Sequence, residues 1–157
     1  MASFSLQELT AWRERMHART VRQFEREGGA PPGWHVLLPG GDFGFHDVSW
    51  PVTADEHEEL VRSIRATFGV LGARACLFVM QRALSDGRDV LLFQFEATDA
   101  GGSRHRAASA HAVTGHPDGT WRVEAAPIRT TLEADAALVR SGPFPDLLPD
   151  ASPLRIR

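Results

Sequence analysis

The sequence predicts an α+β fold in which a four-stranded antiparallel meander curves, cone-like, around N-terminal helices, with a short C-terminal helix and an extended tail after it. Two observations support this prediction. Between residues 73 and 126, four apolar runs are joined by three compact turns that contain glycine. Upstream, two segments repeat apolar residues at helical spacing behind N-cap signals. A chain of 157 residues can bury one core, so we predict a single domain over residues 1–142 and a proline-rich tail over 143–157.

Composition and charge narrow the function classes. The formal net charge is −3 at pH 7, so the chain as a whole is not attracted electrostatically to nucleic acid. No apolar run approaches the roughly 18 residues that a membrane span needs. The single cysteine, Cys76, cannot form an internal disulfide, which fits a reducing compartment. We therefore predict a cytoplasmic protein that binds neither nucleic acid nor membrane and uses no cofactor.

The first helix is predicted to begin at a capping box, because Ser5 and Glu8 can each satisfy a backbone N–H at a helix start. It can continue to about Glu27 and stop at the two glycines that follow. Its arginines alternate with glutamates, which is typical of a solvated face with intrahelical ion pairs rather than of a nucleic-acid-binding face.

The segment after this helix contains a short extended piece, Trp34–Leu38, and then an irregular loop from Gly40 to Pro51. The loop mixes glycines with aromatic residues, so we expect it to pack its aromatics onto the domain or to cover a pocket. Asp42, His46 and Asp47 could offer metal ligands from this loop. Because a second ligand set at defined spacing is missing, the sequence predicts no metal site.

A second capping box, formed by Thr53 and Glu56, predicts a helix that ends at Gly69 or Gly72. Acidic residues in its first turn suit the helix dipole. His57 falls on the apolar stripe of this helix, three residues before the first leucine of the stripe.

The C-terminal part of the chain is predicted to hold a short helix and an extended tail. A third capping-box pattern, Thr130 with Glu133, indicates a helix to about Ser141. The prolines that follow exclude further helix, and Phe144 and Leu147 could order the tail against the domain.

The three turns of the meander set the strand register. We read Asp86 and Gly87 as a two-residue hairpin loop, which pairs Arg82 with Leu91. The turn at 116–120 is interpreted as a three-residue loop with glycine at its third position. The turn at 99–103 leaves its register open: a three-residue loop there pairs Leu91 with His111, and a difference of one residue moves His111 to the outer face. These readings pair Met80 with Phe93, Phe78 with Phe95, Leu91 with His111, Phe95 with Ala107, Val113 with Val123 and His111 with Ala125.

Side chains alternate across a strand, so these registers divide the sheet into two faces. The core face is predicted to carry a row of Arg82, Leu91, His111 and Ala125. In that row the Arg82 and His111 backbones lie roughly 10 Å apart, a spacing that two side chains could close around a small ligand. The other members of the core face are Phe78, Met80, Phe93, Phe95, His105, Ala107, Ser109, Val113, Trp121 and Val123.

We predict from this face a pocket between sheet and helices that binds a modest, mostly apolar small molecule. The candidate contacts are Arg82, His111, His57, Phe93, Ser109 and Trp121. A histidine pKa near 6.5 suits ligand anchoring or proton transfer at neutral pH. Ser109 and His111 could form a pair, but no carboxylate at a suggestive spacing orients the histidine and no glycine-flanked turn presents the serine. The sequence therefore favours polar pocket contacts over a hydrolytic triad and assigns no catalytic residue.

The opposite face supports an alternative, a non-catalytic interaction module. Small and aliphatic side chains there would form a surface for homodimerisation. Its apolar members are predicted to be Leu77, Val79, Leu92, Ala108, Ala110 and Ala112.

Three sequence features resemble the nuclear transport factor 2-like superfamily, which includes the SnoaL-like polyketide cyclases. They are the entry into the second long strand at 87–90, the glycine pair at 101–102 and the closing run 119–123, Gly-Thr-Trp-Arg-Val, within a similarity over residues 54–126. The resemblance implies a cone-shaped α+β fold around a pocket, often dimerised through the outer sheet face. Enzymes of that superfamily commonly place an Asp–His or Tyr–Asp pair in the cone, whereas this chain has no tyrosine.

Overall fold

The computed structural model describes residues 3–45, 49–129 and 131–149. Its strands form one antiparallel sheet in the order β2-β1-β3-β4-β5-β6, curved into a half-barrel. The α+β class and the curved antiparallel sheet are confirmed, but the sheet has six strands rather than four. In chain order the elements are α1 (Leu6–Glu27), β1 (Gly33–Leu38), β2 (Gly41–Phe45), α2 (Ala54–Leu71), β3 (Ala75–Ala83), β4 (Asp89–Thr98), β5 (Arg104–Gly115), β6 (Trp121–Val123) and α3 (Glu133–Ser141).

The two extra strands come from the segment that the sequence divides into an extended piece and a loop. β1 pairs with β3, and β2 forms the outer edge of the sheet against β1. Phe45 and Trp50 pack against the core, as expected of the aromatics in this segment, whereas Phe43 is exposed. His46 and Asp47 lie outside the described residues, and Asp42 accepts a hydrogen bond from the Trp12 indole.

The two N-terminal helices begin and end at the predicted signals. Ser5 and Glu8 form the reciprocal capping box of α1, and the amide of Glu56 donates to the Thr53 hydroxyl at 3.1 Å. α1 ends at Gly28, where φ is +76° and where a Cβ would overlap the Trp121 indole. Glycine is therefore required there both by backbone conformation and by close approach. Within the described residues, no helix is both long and apolar enough to cross a membrane.

The third helix ends at Ser141 as predicted, but its start differs. Its N-cap is Leu132, whose side chain caps nothing, so the predicted capping box does not begin this helix. Thr130 lies outside the described residues. Asp135 instead links the helix to the β3–β4 turn by accepting hydrogen bonds from the amide and hydroxyl of Ser85.

All three turns of the meander have the same form. In the β3–β4 turn the amide of Leu84 donates to the Arg88 carbonyl, and Gly87, at φ +86°, donates back to the Leu84 carbonyl. The loop thus has three residues, and the predicted two-residue loop is wrong. The β4–β5 and β5–β6 turns repeat this pattern, and their predicted registers are confirmed.

This one-residue difference moves Arg82. It pairs with Val90, and Gln81 takes the place opposite Leu91. Because side chains alternate, Arg82 points away from the face that carries Leu91 and His111, so the predicted row is broken at its first member. The pairings of Met80 with Phe93 and of Phe78 with Phe95 are wrong for the same reason.

The sheet carries a hydrophobic core on each face. α1 covers one face and α2 covers the other, so the prediction that both N-terminal helices share one face is wrong. The α1 face includes Leu9, Trp12, Met16, Phe24, Leu77, Val79, Leu91, Phe93, Phe95, Val113 and Val123. The α2 face includes Trp34, Val61, Ile64, Phe68, Cys76, Phe78, Met80, Leu92, Ala110, Phe144, Leu147 and Leu148.

The C-terminal segment, residues 142–149, crosses the α2 face in an extended path. Phe144, Leu147 and Leu148 are 2%, 1% and 5% exposed, so this segment is part of the core. Together with α2 and α3 it covers Leu92 and Ala110, two members of the surface that the sequence predicts for dimerisation, and both are fully buried. Leu77 and Val79, two other predicted members, lie on the α1 face instead. The predicted surface is therefore not open to a second chain.

Candidate functional site

A groove of about 430 Å³ lies between α1 and β5, and we call it the histidine groove. It lies beside the buried stripe of α1, whose Leu9, Trp12 and Met16 pack against the sheet. α1 contributes charged and polar side chains, β5 contributes two polar side chains, and the segment after β6 closes the end. Its lining residues are Thr10, Arg13, Glu14, His17, Ser109, His111, Ala125 and Pro127.

His111 is held in one orientation by two hydrogen bonds. Its Nδ1 lies 2.9 Å from the carbonyl oxygen of Glu124, and its Nε2 lies 3.1 Å from the Ser109 hydroxyl. Because a carbonyl oxygen can only accept, Nδ1 carries the hydrogen. In the neutral ring Nε2 then carries the lone pair and accepts the hydroxyl proton of Ser109. The backbone thus fixes the tautomer of His111.

The carbonyl that orients His111 is itself held by strand pairing. The amide of Glu124 donates to the Ala112 carbonyl at 2.9 Å, just beyond β6. The pairing of Val113 with Val123 places Glu124 opposite Ala112, the residue after His111, so its carbonyl lies beside the His111 ring. The orienting group therefore belongs to the sheet rather than to a flexible side chain.

His17 is the second histidine of the groove. Its ring stacks on Phe93 with a centroid separation of 4.0 Å and meets the His111 ring edge-on at 5.0 Å. Phe93 is 2% exposed and forms the apolar support beneath both rings. Within the part of the chain that the structure describes, the His17 ring makes these ring contacts and no hydrogen bond. Its ring nitrogens are therefore available to a bound molecule.

Burial keeps both histidines neutral at neutral pH. The pKa of His17 is lowered to about 4, by burial most of all and then by the nearby His111 and Arg13. Burial also lowers the pKa of His111, although the hydrogen bonds to the Glu124 and Ala125 carbonyls oppose the shift. The remaining charges of the groove are Arg13, whose guanidinium lies 5.2 Å from the Phe95 ring centroid, and the carboxylate of Glu14. The groove as a whole therefore has no net charge.

The structure brings three of the six sequence-predicted site residues together. Ser109 and His111 line the groove, and Phe93 supports it. The register of β5 decides this, because the three-residue loop between β4 and β5 leaves His111 on the α1 face, opposite Leu91.

The other three predicted residues lie elsewhere. Arg82 is exposed at the end of β3, on the opposite face. The His57 ring stacks on Phe144 at 5.4 Å and lies 3.2 Å from the Pro143 carbonyl, so it helps to hold the C-terminal segment. Trp121 packs edge-on against Phe24 near the end of α1.

Sequence reasoning missed His17 and Arg13. They lie one helical turn apart on α1, each directly after a buried residue of the apolar stripe, Trp12 and Met16. A position beside the stripe points toward the edge of the helix–sheet contact, where a polar side chain can reach both core and solvent. That spacing was the available signal.

A smaller cavity of about 250 Å³ lies at the C-terminal end of α1. Its main polar groups already bond each other, since the Thr20 hydroxyl donates to the Met16 carbonyl and lies 3.1 Å from His35 Nε2. This makes it a weaker candidate than the histidine groove. Within the described ranges no group of three potential metal ligands converges.

No family model matches the chain, and comparisons with curated proteins and with solved structures give no significant match. The geometry of the groove is therefore the basis on which a function can be assigned.

Proposed function

We propose that the protein binds a small, uncharged and partly apolar molecule in the histidine groove. The observation that carries this proposal is the convergence of His17, Ser109 and His111 around the Phe93 ring, where the His17 ring makes no hydrogen bond to the described residues and the Ser109 hydroxyl lines the groove. Buried polar groups are normally satisfied within the protein, and groups that stay accessible in a concave site are the usual means of orienting a ligand.

The charge balance of the groove selects the class of ligand. His17 and His111 are neutral at pH 7 because their pKa values are lowered, and Arg13 lies beside Glu14. A strongly charged ligand would leave one of these charges unmatched, whereas a neutral carbonyl compound can accept from Arg13 or His17. An aromatic or short aliphatic group can then lie near Phe93. We therefore expect neutral esters and amides with a small ring to bind.

Acetanilide, a neutral amide that resists hydrolysis, is a suitable probe. We expect titration of the full chain with acetanilide to shift the NMR signals of the His17 and His111 rings together. Replacing His17→Ala removes one polar contact and one wall, which should weaken binding by about 3- to 10-fold. The matched control is His116→Ala, since His116 is an exposed histidine in the β5–β6 turn.

The outcome that contradicts the proposal is equally concrete. If acetanilide and related neutral amides shift signals elsewhere and leave both ring signals unchanged, the groove is not a ligand site. Circular dichroism of each variant separates lost binding from lost folding.

Two further parts of the sequence prediction stay proposals. A cone-type fold related to the nuclear transport factor 2-like superfamily draws support from the curved antiparallel sheet with α1 on one face. Homodimerisation would have to use a surface other than the covered α2 face, and the solution mass of the full chain tests it. If the solution mass shows a dimer, the edge strand β2, where Phe43 is exposed, is the surface to probe by mutation.

A further inference from the structure

We propose that Ser109 is a catalytic nucleophile, activated by His111, that cleaves small neutral esters in the histidine groove. This inference rests on the proposed function, because the ester must occupy the same groove. It extends that function from binding to acyl transfer.

The geometry has the three parts that an activated serine needs. The nucleophile and base are in hydrogen-bond contact, at 3.1 Å from the Ser109 hydroxyl to His111 Nε2. The base is oriented on its other nitrogen, at 2.9 Å from Nδ1 to the Glu124 carbonyl. In serine hydrolases the group that accepts from this second nitrogen is commonly a carboxylate, which fixes the tautomer of the histidine and stabilises the imidazolium. A backbone carbonyl that accepts from Nδ1 can do both.

The groove also supplies groups for the other charges of the reaction. Arg13 and His17 line it as the donors that could face the oxygen of a tetrahedral intermediate. The imidazolium that forms on His111 keeps its bond to the Glu124 carbonyl, in a groove that the Glu14 carboxylate also lines. Its neighbours of like charge are Arg13 and, when protonated, His17.

The reaction balances with water as the only co-reactant. The Ser109 oxygen attacks the ester carbonyl carbon while its proton passes to His111 Nε2. The bond from that carbon to the leaving oxygen then breaks, and His111 returns the proton to the departing alcohol. Water next attacks the acyl-serine, gives a proton to His111, and releases the acid as the serine oxygen takes that proton back.

The test uses 4-nitrophenyl acetate, whose product is coloured, with the full chain at neutral pH. We expect an acetyl group on Ser109, located by mass spectrometry after acid quenching during turnover. Ser109→Ala should reduce turnover to the level of the uncatalysed reaction, and His111→Gln should reduce it by about 100-fold or more. Ser103→Ala and His116→Gln are the matched controls, because both side chains are exposed away from the groove.

The pH profile is a readout that a purely structural role would not produce. Turnover should fall on acidification with a midpoint below 6.5, since His111 must be neutral to accept the proton and burial lowers its pKa. An acetyl group found on a histidine overturns the proposal, and so does turnover that survives Ser109→Ala. Neither result depends on whether the His111 variants fold.

Failure of this proposal is distinguishable from failure of the proposed function. If acetanilide shifts the His17 and His111 signals but the ester is not cleaved, the groove binds and Ser109 is not a nucleophile. If neither compound engages the groove, both proposals fall.

Discussion

The two faces of the sheet differ in whether their polar side chains are enclosed in the core or line an open groove. On the α2 face, Gln94 and Glu96 project from the central strand β4 into the core, and the C-terminal segment satisfies them. On the α1 face, His17, Ser109 and His111 are also close to the core, but they face a groove. The first arrangement uses polar groups to hold the fold together, whereas the second leaves the His17 ring and the Ser109 hydroxyl accessible to another molecule.

The bonds on the α2 face are made to the backbone of the C-terminal segment. Gln94 donates to and accepts from Phe144, at 2.9 and 3.0 Å, as a neighbouring strand would. Glu96 accepts from the amides of Leu147 and Leu148 at 2.7 and 3.0 Å. Two side chains thus extend the sheet's hydrogen bonding to a segment that is not a strand. Because these bonds use the polar groups of both side chains within the protein, we infer that this region stabilises the fold and does not bind a ligand.

Replacing Glu96→Gln should have the largest effect on the stability of the fold. The Glu96 carboxylate is 1% exposed and accepts from two amides and from Arg104, at 2.7, 3.0 and 3.1 Å. A carboxamide would turn an NH₂ group toward one of these donors, which should lower the free energy of unfolding by about 2–4 kcal/mol. Urea denaturation measures this difference.

The matched control is Glu124→Gln, since the side chain of Glu124 is half-exposed and its contact with Arg122, at 3.6 Å, is the ion pair that it forms among the described residues. We expect it to change the stability by less than about 0.5 kcal/mol. Equal effects of the two variants would mean that the C-terminal segment is not held as the structure shows.

The same two faces show how far the sequence could lead. Helix limits follow from local signals, because caps such as Ser5 and glycines such as Gly28 act within one turn of the chain. The groove position of His111 depends on the loop length of one turn, residues 99–103, and the sequence left two registers open there of which the structure has the three-residue one. The orienting carbonyl of Glu124 was not predictable, because every residue carries a carbonyl and only the fold selects one.

The sequence contained a signal for a core on both faces of the sheet, but the strands were interpreted as having one buried face. β3 and β4 are continuous apolar runs, and such runs are typical of strands that are buried on both faces. Reading them as one-sided strands produced the open outer face. The turn at Gly87 compounded this, because a two-residue and a three-residue loop both suit an Asp-Gly pair, and one residue decides which face Arg82 occupies.

An intermediate effect is expected for the pH dependence of stability on the α1 face. The pKa of His17 falls to about 4 on folding, so the unfolded chain binds the proton more tightly. Stability from this group is present above about 6.5 and is lost as the pH falls toward 4. The loss should be on the order of 1 kcal/mol, well below the full value of the shift, because the ring is only half-buried.

The measurement compares wild type with His17→Gln at several pH values. We expect the advantage of the neutral histidine to shrink between pH 6.5 and 4, with His116→Gln as the surface comparison. Glu96 contributes with the opposite sign, since burial raises its pKa and its contribution is lost as the pH rises. It is present in both proteins and cancels in the difference. A difference that stays constant on acidification would show that folding leaves the His17 pKa unchanged, and one that grows would show that the folded state favours the protonated ring.

Arg82→Ala should give the smallest effect, although the sequence placed this residue in the site. Its side chain is exposed and lies on the α2 side of β3, beyond the reach of the histidine groove. We expect the free energy of unfolding to change by less than about 0.5 kcal/mol. The affinity for acetanilide should stay at the wild-type value, in contrast to His17→Ala. If Arg82→Ala instead weakened binding as strongly as His17→Ala, Arg82 would have to lie on the same face as His111. The three-residue loop that ends at Gly87 would then be wrong.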